Sequence, residues 1–168
     1  MRVSEEILVN AEPETMYRVA AEVADWPGTM PHFRWVRVLG QAGNRVSLVM
    51  AARLGLLPMR WSAELTLYPD RTRMLFRHVA GPTGGMAVEL RFVPTTSGTV
   101  AMVVSSLDLG WPIVGRLGEA VIVGVLSREL ARRTLVRLKR LAEAEQADLE
   151  RLGGESLEGG ADSATGGE

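Results

Sequence analysis

Residues 111–120 read Trp111-Pro112-Ile113-Val114-Gly115-Arg116-Leu117-Gly118-Glu119-Ala120, and the run they open closes in Leu138-Lys139-Arg140-Leu141-Ala142-Glu143. Proline just inside the start, then a steady supply of Leu, Ala, Arg and Glu, predicts one long helix from Pro112 to about Glu150. Steps of about 100° per residue gather Ile113, Arg116, Leu117, Ala120, Val123, Gly124, Ser127, Leu130, Ala131, Thr134, Leu135, Leu138, Leu141 and Ala142 on one face. That face is expected to be buried. It is small in the middle, at Ala120, Gly124, Ser127 and Ala131, and large at the end, at Leu135, Leu138 and Leu141. Small residues against a sheet either let a large strand residue approach or leave a void. The second reading predicts a cavity beside the small stretch and a plug beside the leucines.

Working outward, the chain before this helix is mostly strand. Val3 to Asn10 alternates and ends at Ala11-Glu12-Pro13, which predicts a first strand. Pro13 to Val23 has proline in the first turn and Met16, Val19, Ala20 and Val23 at helical spacing. Asp25-Trp26-Pro27-Gly28-Thr29-Met30-Pro31-His32 leaves room for one further turn. Six strands are then predicted at about 33–40, 45–54, 59–68, 72–80, 85–94 and 99–109, joined by short turns rich in Gly, Pro, Asn and Asp. Short loops impose antiparallel neighbours.

Alternation assigns faces. Val46, Leu48, Met50, Ala52 and Leu54 are inward, as are Met59, Trp61, Ala63, Leu65 and Leu67, then Met74, Phe76 and His78, then Met86, Val88, Leu90 and Phe92. Val100 to Val104 is apolar throughout and its facing stays open. Trp26, Trp35, Trp61, Met50, Met59, Met74 and Met86 form the expected apolar wall. Seven internal methionines make that wall adaptable.

A chain of 168 residues fits one domain, here 1–152, followed by a Gly/Ser/acidic stretch at 153–168 that is expected to be disordered. Nineteen basic and twenty acidic residues give a net charge of −1, which points away from nucleic acid. There is no cysteine, so disulfides and thiol chemistry are excluded. The acidic opening Ser4-Glu5-Glu6 predicts no secretory signal, and the apolar run Ala120 to Leu126 is far short of the roughly 20 residues that span a bilayer. A cytoplasmic protein without a transmembrane segment is the expectation.

The order of elements, together with Val9-Asn10-Ala11-Glu12-Pro13-Glu14, Asp25-Trp26-Pro27 with Pro31, Phe92-Val93-Pro94 before Gly98-Thr99, and Pro112-Ile113-Val114-Gly115, resembles the START-like (SRPBCC) superfamily over about residues 1–145. That superfamily includes polyketide cyclase/dehydrase, coenzyme Q-binding and pollen-allergen-like proteins. The resemblance implies an α+β helix-grip fold: a seven-stranded curved antiparallel sheet wrapped around a long C-terminal helix, with two short helices between strands 1 and 2. It also implies an apolar cavity for a polyketide, lipid or isoprenoid/quinone-like molecule, with no cofactor. Aromatase/cyclases of this group carry a cavity arginine four positions beyond the inward tryptophan, and Leu65 stands there in this chain.

Candidate ligand-binding residues are Trp26, His32, Arg34, Met50, Trp61, Phe76, His78, Met86, Arg116, Ala120, Gly124 and Ser127. His78 and Arg116 are the catalytic candidates. An inward histidine near neutrality can exchange a proton with a ligand carbonyl, or it can be a satisfied structural residue. Arg116 either meets a ligand oxygen or pairs with Glu119. Arg34 alternates with Val36 and Val38, which turns it inward, while its place at the strand start makes escape to solvent equally easy. Two histidines without a carboxylate cluster give no metal motif. The apolar hairpin tip Leu54-Gly55-Leu56-Leu57-Pro58-Met59 suits a lid, and Val121, Ile122 and Val125 opposite the buried face suit a homodimer contact. Three functions remain open: binding of a small hydrophobic ligand, catalysis as a polyketide aromatase/cyclase or dehydratase, and an interaction domain with a vestigial cavity.

Overall fold

The structure, a computed structural model, describes residues 2–107 and 117–158, with side-chain surroundings for 2–107 and 124–153. Seven strands, β1 (Arg2–Val9), β2 (Phe33–Ala42), β3 (Arg45–Leu54), β4 (Leu57–Tyr68), β5 (Arg73–Ala80), β6 (Met86–Thr95) and β7 (Gly98–Leu107), form one antiparallel sheet in the order β1-β7-β6-β5-β4-β3-β2. Helices α1 (Pro13–Ala21) and α2 (Trp26–Thr29) carry the chain from one edge of the sheet to the other. The long α3 (Leu117–Glu158) closes a helix-grip fold.

Alternation holds through the central strands because one face is buried. Met50, Trp61, Leu65, Met74, Phe76, Leu90 and Phe92 belong to one core with Ala131, Leu135, Leu138 and Ala142 of α3. The apolar β7 resolves into Thr99, Ala101, Val103 and Ser105 on the core side. Two glycines let strands and turns approach closely. A side chain at Gly98 (φ +127°) would run into the backbone of Val9, and one at Gly81 (φ +98°) would lie 2.6 Å from Arg60 O and 2.9 Å from Trp61 Cα.

The C-terminal half of α3 is fastened to β1 and α1. Lys139 Nζ donates to Leu8 O (2.8 Å), Asn10 N to Glu143 Oε1 (2.9 Å) and Thr15 Oγ1 to Gln146 Oε1 (3.2 Å). This is the leucine end of the helix, and Leu135 and Leu138 are fully buried there.

Three expectations need correction. The helix does not stop near Glu150: residues 153–158, placed in a disordered tail from sequence, continue α3. Extending an existing helix adds a hydrogen bond per residue without a new nucleus, which offsets Gly153 and Gly154. Residues 159–168 and the helix start expected at Pro112 lie outside the described residues. Arg34 does not turn inward, because a bulge between Phe33 and Trp35 breaks the alternation and leaves it exposed. Trp35 is likewise no part of the inner wall: it is 38% exposed on the edge strand, with the Arg60 and Arg37 guanidiniums over its ring at 5.6 and 5.9 Å.

Candidate functional site

The small-faced middle of α3 stands over β3 to β7, and a cavity of about 60 Å³ lies between them. Ser127, Ala131 and Thr134 line it from the helix. Met50, Met59, Trp61, Phe76, His78, Met86 and Leu90 line it from the sheet, and Trp26 and Phe33 close one side. Trp26 is held in place by donating its indole N–H to Ala20 O (3.1 Å) and packs on Phe33 with ring centroids 4.9 Å apart.

Polar atoms around this cavity mostly satisfy one another. His78 Nδ1 and Thr83 Oγ1 share a hydrogen bond of 2.7 Å, which ties β5 to the turn that Gly81 shapes. His78 also stacks on Trp61 at 5.5 Å and 20°. Burial pushes it from 6.5 to about 4, so the ring is neutral at physiological pH. Ser127 Oγ donates to Met86 Sδ (3.5 Å), and His32 Nε2 and Thr134 Oγ1 share a 3.1 Å bond. The indole N–H of Trp61 is buried with no acceptor among the described residues.

A second, larger space of about 530 Å³ opens on the other side of the His32–Thr134 bond. Pro31, His32, Arg34, Arg53, Gly55, Arg132, Arg133, Val136 and Arg137 line it. His32 is also brought down to about 4, by burial first and then by the positive charges of Arg133 and Arg137.

The sequence is matched at the level of family. A model of the family described as polyketide cyclase / dehydrase and lipid transport matches residues 9–134. The chain belongs to this family. Among curated proteins compared by sequence, none matches significantly. Solved structures that resemble this family member include TTHA0849 from Thermus thermophilus (TM-score 0.74, 23% identity, covering 86% of this chain and 99% of that one). The Zhui aromatase/cyclase from Streptomyces sp. R1128 is similar with TM-score 0.75 and 16% identity, over 85% of this chain and 93% of that one. A START superfamily protein from Mycobacterium smegmatis gives 0.61 and 17%, over 88% and 98%. At these identities the likeness establishes the shared fold.

Within this family member Trp26, Met50, Trp61, Phe76, His78, Met86 and Ser127 line one cavity, and all but Trp26 lie on the faces that alternation and helical spacing assign. His32 and Arg34 go to the second space instead. Gly124 is buried but does not line the cavity, Arg116 lies outside the described residues, and the side chain of Ala120 is likewise not described. Leu65, four positions beyond Trp61, is fully buried in the core. Thr83 and Ser105 were missed; one sits on a loop without periodicity and the other on the strand whose facing was ambiguous. Leu56 at the β3–β4 tip is 88% exposed and Val125 of α3 is 63% exposed. Among the described residues no helix is long and apolar enough to cross a membrane, and no cluster of metal-binding side chains is present.

Proposed function

We propose that this protein binds one small hydrophobic molecule, of polyketide, lipid or isoprenoid/quinone-like chemistry, between α3 and the sheet. The observation that supports this is the character of the cavity wall. No described arginine, lysine, aspartate or glutamate lines it, and His78, Thr83, Ser127 and Thr134 are engaged with protein partners. Such a wall welcomes an apolar body and offers a developing oxyanion no charge. A cavity of about 60 Å³ is smaller than the roughly 300–1,000 Å³ of drug-sized sites. A guest therefore enters by displacing Met50, Met59 and Met86, whose unbranched chains repack at little expense.

A second reading, aromatase/cyclase or dehydratase activity, is favoured by the unpaired Trp61 N–H beside His78, a donor that a ligand carbonyl could accept. Native mass spectrometry of purified protein separates the readings. A co-purifying hydrophobic compound at one equivalent, absent from Ala131→Trp, is expected for binding. Bare protein that also takes up no hydrophobic probe would refute it. Conversion of a poly-β-ketone that disappears in His78→Phe would establish the enzyme.

A further inference from the structure

Five arginines line the second space. Arg34 and Arg53 come from the β2–β3 end of the sheet, and Arg132, Arg133 and Arg137 from α3, with no acidic residue among the lining. Glu129 nearby bridges Arg132 (3.1 Å) and Arg133 (2.7 Å), and Arg53 Nε donates to Gly55 O (3.0 Å). No carboxylate pairs with Arg34, Arg53 or Arg137 among the described residues. Arg133 and Arg137 stand four apart on a helix, a spacing at which like charges repel. Arg34, Arg53 and Arg137, without a paired carboxylate among the described residues, and the half-balanced Arg132 and Arg133 form a field that concentrates an anion, and their planar forks suit oxyanions with several oxygens.

We infer that this arginine cleft is a binding site for a phosphate monoester or diphosphate group. A single carboxylate would leave most of the positive charge unbalanced, whereas a dianion or trianion offsets more of it. The cleft rests on different residues from the apolar cavity, so it stands whether or not the cavity binds a guest. The two spaces meet at one hydrogen bond: His32 lines the cleft, and its partner Thr134 lines the cavity. The phosphate therefore belongs either to a free phosphorylated compound or to the head of an amphiphile whose tail passes into the cavity.

Isothermal titration with inorganic diphosphate and with dodecyl phosphate, at about 0.15 M salt, tests the site and distinguishes these sources. Diphosphate has no apolar part and reads the cleft alone. It should bind the parent protein, and Arg34→Gln/Arg137→Gln should weaken it at least about tenfold, whereas Arg91→Gln on β6 should leave it unchanged. The exposed single variant Arg34→Gln, checked by circular dichroism, replaces the double variant if that one does not fold. Tighter binding of dodecyl phosphate than of diphosphate, with the advantage lost in Ala131→Trp, assigns the amphiphile; equal affinities assign the free anion. Absence of diphosphate binding, or an affinity indifferent to the cleft variants, overturns the site. Sedimentation with phosphatidylglycerol vesicles without binding of either phosphate also overturns it, in favour of a membrane-docking surface.

Discussion

The two spaces on either side of the His32–Thr134 bond differ in how they deal with being open. The apolar one has shrunk to about 60 Å³ between methionines and aromatic rings, while the arginine-lined one keeps about 530 Å³. Apolar walls gain contacts by closing, and flexible Met side chains allow it. Guanidiniums repel one another and hold water, so their cleft stays apart. Stability is therefore expected to reside in the first space and electrostatic selectivity in the second.

Substitution at the two sites exposes the contrast most strongly. Trp61→Ala, which removes a 4% exposed ring from the cavity wall, should lower unfolding free energy by about 3–5 kcal/mol in urea titration. A loss under about 1 kcal/mol would mean the wall collapses freely and the cavity is no rigid feature.

Acid should strike next. His32 and His78 are each brought from 6.5 to about 4 in the folded protein. The unfolded chain then binds more protons than the folded one between these values. Stability is complete above pH 6.5 and declines as pH falls toward 4. The deeper His78 should contribute a loss of about 2 kcal/mol by about pH 5, and His32, which faces the open cleft, a smaller one. Unfolding midpoints measured against pH should show this slope, and His78→Gln should reduce it. A flat profile would place both rings in a wetter setting than the structure gives them.

The smallest effect belongs to the cleft. Arg137→Gln should change stability by no more than about 0.5 kcal/mol, and in low salt the change should be favourable because it relieves repulsion with Arg133. Thermal melts across salt concentration read this directly. A large loss would assign Arg137 a structural partner instead.

Much of this is legible in the sequence. Trp61, Phe76, His78 and Met86 reach the cavity because alternation on strands buried on one face leaves a side chain little choice. Ser127 and Ala131 follow from helical spacing in the same way. Arg34 was misread because alternation cannot anticipate a bulge, and Trp35 because an edge strand has solvent beside it. Thr83 sits on a turn with no period to read.

The sequence by itself determined the strands, the antiparallel pairing of neighbours from β2 to β7, and the long helix with its small middle and leucine end, because local periodicity and turn chemistry act over a few residues. The family was legible as a resemblance in motifs and element order, and the pairing of β1 with β7 came from the tertiary structure. Only the tertiary structure decided the size of the cavity, the pairing of His78 with Thr83 and of His32 with Thr134, and the gathering of arginines from residues 34 to 137. These depend on side chains brought together from distant parts of the chain, and no period within one segment carries that information.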